Sequence, residues 1–116
     1  MALEFTLTSA ADPVSFRLSG PLTLGPRLLE FGRHVTTLLM SQKPAGVLLD
    51  LDQVDDIDSA GLGELVILYT TAGQQSSRLG LVRPPARVLR LLEATRLSGL
   101  LVTFENESDA RAWIQG

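Results

Sequence analysis

Apolar and polar side chains alternate twice near the start of the chain, over Leu3–Thr8 and again over Val14–Ser19. A period of two is that of a half-buried strand. Ala11-Asp12-Pro13 between the two runs is turn chemistry, so they predict an antiparallel hairpin with Phe5, Leu7, Phe16 and Leu18 on its core face. Gly20-Pro21 and Gly25-Pro26 then break the chain, and the period becomes helical. Pro26 suits the first turn of a helix whose apolar stripe is Leu28, Phe31, Val35, Leu38 and Leu39, running to about Ser41. Pro44 and Gly46 end it. Gly46–Leu51 is a continuous apolar run, short enough to be a strand buried on both faces. An acidic connection from Asp52 to Asp58 follows it. Ser59 to Gly63 then opens a second helical pattern, with apolar positions at Leu62, Leu65, Val66 and Tyr69.

Beyond a polar link at Gln74–Ser77, Leu79–Val82 predicts a fourth strand. Pro84-Pro85 begins a third helix with Val88, Leu91, Leu92 and Thr95 inward, stopped by glycine at Ser98-Gly99. Leu101–Phe104 predicts a fifth strand, and Ser108 the cap of a last helix docked by Trp113 and Ile114. The order β-β-α-β-α-β-α-β-α predicts an α/β fold: a mostly parallel sheet of five strands, an antiparallel N-terminal edge and four helices. A length of 116 residues, with no linker or repeat, predicts one domain over 1–116.

Composition narrows the setting. With no cysteine, a disulfide framework and a thiolate metal site are both excluded, which fits a reducing cytoplasm. No apolar run reaches the roughly 20 residues of a membrane helix. No signal peptide is visible at Met1–Phe5, so the expected location is cytoplasmic, without membrane insertion. A net charge of −3 argues against direct nucleic-acid binding by the whole domain.

Enzymatic readings fail on missing parts. A P-loop needs a lysine after its glycines, and the single lysine, Lys43, precedes the strand. A dinucleotide fingerprint needs a third glycine where Val66 stands. Nucleophilic attack by Ser59 needs a base, and the single histidine, His34, falls on the polar side of another helix and reads as a surface histidine, within reach of a local pair with Glu30. Asp50, Asp52, Asp55, Asp56 and Asp58 form an acidic cluster, but it lacks the ligand order of a calcium loop and reads as a solvated connection. No catalytic residue, metal or cofactor is expected. Ser59 reads as an acceptor at a helix start, where free backbone N–H groups point at any group added to its hydroxyl. Gly61 and Gly63 are costly inside a helix, each by ~1 kcal/mol relative to alanine. Two explanations stand open for them: close packing on the sheet, or a low surface for a partner's backbone. Arg83, Arg87 and Arg90 line the third helix as a solvated face.

Ile57-Asp58-Ser59-Ala60-Gly61-Leu62-Gly63, after a Val-Leu-Leu-Asp-Leu strand, resembles the signature of STAS domains of the bacterial anti-sigma factor antagonist type. That resemblance implies the STAS fold, a non-enzymatic role, and Ser59 as the residue phosphorylated by an anti-sigma factor of the serine-kinase type and reset by a phosphatase. It implies a partner-binding surface of Asp58, Ala60, Gly61, Leu62 and Gly63, with Thr23 and Leu24 in the neighbouring loop. Many such antagonists carry Gly-Glu-Leu-Asp or Gly-Glu-Ile-Asp after the second strand. Here Gly20-Pro21-Leu22-Thr23 removes two acidic groups. The alternative within the family is an unphosphorylated regulatory subunit of a lipid- or anion-transport assembly; a small-ligand-binding member is a third.

Overall fold

The structure, a computed structural model, describes residues 1–116. β1 (Glu4–Ser9) and β2 (Val14–Leu22) form the hairpin, followed by α1 (Pro26–Gln42), β3 (Gly46–Ile57) and α2 (Ser59–Gln74). Then come β4 (Arg78–Val82), α3 (Ala86–Ala94), β5 (Val102–Phe104) and α4 (Glu107–Gln115), in the order the periodicity predicts. The sheet order is β1-β2-β3-β4-β5; only the β1–β2 pair is antiparallel. Helical crossovers between adjacent parallel strands produce this arrangement.

The two faces of the sheet are covered unequally. Val47, Leu49 and Leu51 of β3 join Leu79 and Leu81 of β4 in one large core with the inward stripes of α1, α2 and α3. The alternate residues Leu48 and Val82 meet Ala110 and Ile114 of α4 on the other face. Gly46 lets α4 come close, since a Cβ there would lie 2.4 Å from Ile114.

Several predicted boundaries move, each for a tertiary reason. The acidic stretch is strand to Ile57, because β2 supplies a parallel neighbour as far as Leu22↔Ile57 and the core takes Val54 and Ile57. Leu7 is 48% exposed although it faces the same way as Phe5. It lies on an edge strand, whereas Phe5 packs edge-on against Phe31 with ring centroids 5.4 Å apart. Thr95 is exposed and α3 ends before it; Arg96, at φ 61°, makes the left-handed turn expected of Gly99. Asn106 rather than Ser108 caps α4, accepting from Asp109 N at 2.8 Å. His34 is exposed but does not pair with Glu30, which Arg27 binds. Its ring lies 5.7 Å from both Phe5 and Phe16, closing the edge of the core.

The extension of β3 is testable at Val54, which a solvated loop would leave free and a strand buries. Val54→Asp should lower the unfolding free energy by at least ~2 kcal/mol through lost burial and an unpaired charge. Urea denaturation measures it, and an unchanged midpoint would contradict the strand.

Candidate functional site

The chain passes from β3 to α2 through one residue, Asp58, held in extended geometry as the N-cap. Its carboxylate accepts from Gly61 N at 2.9 Å and, through the other oxygen, from Leu24 N at 3.0 Å. One side chain therefore caps α2 and fastens the loop after β2 beside it. These backbone donors, Leu24 first and Gly61 second, hold the Asp58 carboxyl below the ordinary aspartate range. Ser59 follows as the first residue of the helix, exposed, with its hydroxyl in no hydrogen bond within the chain.

The two glycines have different explanations. A Cβ on Gly61 would lie 1.9 Å from the Leu22 carbonyl oxygen, so only glycine lets the first turn of α2 pack on the end of β2. A Cβ on Gly63 would meet nothing within 4 Å. Close packing accounts for the first; the second leaves a low, open surface. Leu62 is 6% exposed and belongs to the core. Of the residues expected on the partner surface, Gly61 and Leu62 point inward. Asp58, Ala60, Gly63 and Thr23 keep some exposure, and Leu24 is 77% exposed.

Two of the five aspartates in the acidic cluster pair with arginines from other elements. Asp50 binds Arg83 and lies 3.9 Å from Arg17; Asp56 binds Arg87 at 3.0 Å. Arg83 is held further toward its charged form, chiefly by the hydrogen bond to Asp50. Arg83 and Arg87 thus pair across to β3 instead of forming a free cationic row. Each partner is more than 30 positions away in sequence, so no local pattern signals the pairing. Glu64 is a further feature that the sequence does not announce. It is half-buried between α2 and α1, where Gly32 leaves the space its carboxylate fills. It has no ion pair, and burial raises its pKa.

Residues 5–110 match the family pattern described as the STAS domain. The chain belongs to the STAS domain family. A Thermotoga neapolitana protein, named as a candidate anti-sigma factor antagonist homologue, is 33% identical over 70 residues, 60% of this chain and 62% of that protein. The chain thus matches less than two thirds of that curated relative's length. A crystal structure of a candidate anti-sigma factor antagonist from Thermotoga maritima superposes with TM-score 0.83 at 22% identity, covering 97% of this chain and 95% of the other. The Bacillus cell-fate determinant SpoIIAA in its phosphorylated form gives 0.71 at 15% identity, covering 94% and 96%. At these identities the solved structures show a shared fold. No helix of this STAS protein is long and apolar enough to cross a membrane.

Two predictions follow from the packing. Gly61→Ala should destabilise by ~2 kcal/mol or more, since a backbone oxygen must move, while Gly63→Ala should stabilise by ~0.5–1 kcal/mol through helix propensity. Thermal melts of the pair read the difference, and equal effects would refute the assignment. For Glu64, a pKa raised in the fold means that the folded state takes up the proton more readily. Its ionised form therefore costs stability as pH rises through that pKa, and the cost is absent below the unfolded value near 4.5. Glu64→Gln should be more stable than the native chain at pH 7 by on the order of 0.5 kcal/mol after solvent screening. The two should converge by about pH 4; a pH-independent gap would refute the cause.

Proposed function

We propose that this STAS protein is an anti-sigma factor antagonist controlled by phosphorylation of Ser59. The observation that carries the reading is Ser59 itself: an exposed hydroxyl on the first residue of α2, beside a loop that Asp58 locks in place. Its relatives support the role by name, and one was solved with phosphate attached. The partner is an anti-sigma factor of the serine-kinase type, contacted through Asp58, Ala60, Gly63, Thr23 and the exposed side chain of Leu24. Pro21 and Thr23 leave this contact less acidic than the Gly-Glu-Leu-Asp form, which shifts recognition toward shape and apolar area.

The switch works by charge. The Ser59 oxygen attacks the γ-phosphorus of ATP, the bond to the bridging oxygen breaks, ADP leaves, and the hydroxyl proton goes to the kinase's base. The product carries roughly −1.5 to −2 charges. The helix N-terminus offsets part of this, by ~0.3–1 kcal/mol, so the free protein tolerates the phosphate. A partner surface fitted to a neutral hydroxyl and to Leu24 loses affinity for it, and that difference between states is what a switch requires. A phosphatase resets the hydroxyl. The chain supplies no catalytic group of its own in this scheme, and it acts in the cytoplasm, where sigma factors work.

Incubation with an anti-sigma serine kinase and ATP should place one phosphate on Ser59, mapped by peptide mass, and none on Ser59→Ala. Ser59→Asp should bind that kinase at least tenfold more weakly, about 1.4 kcal/mol. Label on another residue, or none, would refute the switch. If Ser59→Ala and Ser59→Asp behave alike in binding, the transport-assembly subunit is the better reading.

A further inference from the structure

A cleft of about 500 Å³ opens at the β5 edge of the sheet, outside the surface used by the switch. β5 is three residues long and pairs only with Gly80–Val82, so Arg78 and Leu79 at the start of β4 have no strand beyond them. The second half of α2 and the last turn of α4 flank the gap, with Tyr69 and Gly73 on one side and Trp113 on the other. Tyr69 and Trp113 are the only tyrosine and the only tryptophan in the chain. Both are half-buried, and both line this cleft.

The polar groups are as selective as the rings. Arg78 lies over the Trp113 ring with its guanidinium carbon 5.2 Å from the centroid, and its Nη1 donates to the Trp113 carbonyl at 2.5 Å. It pairs with no carboxylate, and no acidic residue lines the cleft. Nε and Nη2 therefore remain available for an anion. Ser77, 7% exposed, lines the same space, and its hydroxyl is the single buried side-chain polar atom without a hydrogen-bond partner. Mostly apolar walls with a few converging polar groups, in a volume of roughly 300–1,000 Å³, are the attributes of a small-molecule site.

We propose that this cleft binds one small planar aromatic or heterocyclic anion, with its ring against Tyr69 and the Arg78–Trp113 stack and its charge at the Arg78 guanidinium. Aromatic faces favour a flat ring in offset or edge contact, and the unmatched guanidinium sets the sign of the charge. The inference does not depend on Ser59, so the two sites are tested separately.

The probe is 8-anilinonaphthalene-1-sulfonate, an aromatic anion, titrated into the full chain while the fluorescence of Trp113 is followed. One probe per chain should bind and quench Trp113. Gly73→Leu places a bulky side chain at a helical position lining the cleft, where an added Cβ meets nothing within 4 Å, and Arg78→Met keeps the stem without the charge. Each should weaken binding at least tenfold while circular dichroism melts show the fold intact. Absence of quenching up to millimolar probe, or native affinity in either variant, would overturn the proposal.

Discussion

The placement of Ser59 rests on one contact, the approach of the first turn of α2 to the Leu22 carbonyl at the end of β2. That oxygen lies where a Cβ of residue 61 would be, and Asp58 N donates to it at 3.4 Å. A helix start has unsatisfied N–H groups and needs a cap. Here the cap, Asp58, is also the acceptor for Leu24 N, so the end of β2, the loop after it and α2 are joined at one point. With Gly61 and Leu62 committed inward, Ser59 and Gly63 are left outward. The exposure of the serine follows from the burial of its neighbours.

The electrostatic setting follows from the same packing. Five aspartates between residues 50 and 58 suggest a strongly negative field, yet Asp50 and Asp56 are matched by arginines and Asp58 is occupied by backbone donors. In the proposed switch a phosphate on Ser59 would meet fewer unpaired carboxylates than the sequence suggests, with the ionised Asp58 still beside it, and the helix end would add a favourable term. Under the proposed function, the repulsion that drives release would act at the partner's surface.

Element order and type were legible in the sequence because burial on one face imposes a period on each segment. The stripes of α1 and α2 and the apolar runs of β3 and β4 carry that period plainly. Where the reading slipped, a neighbour distant in sequence decided the outcome. β3 runs to Ile57 because β2 continues beside it. Leu7 is exposed because an edge strand has less to pack against. Asn106 displaces Ser108 as a cap by a choice among adjacent polar residues that composition does not rank.

The sequence by itself determined the fold family and the serine at a helix start, since both depend on local spacing and a seven-residue motif. Only the tertiary structure separated Gly61 from Gly63, paired Asp50 and Asp56 with arginines of later elements, and brought Tyr69, Arg78 and Trp113 around one cleft. The physical reason is range. Periodicity and capping act within a few residues, whereas steric exclusion, ion pairing and cavity shape depend on segments that meet only when the sheet is assembled.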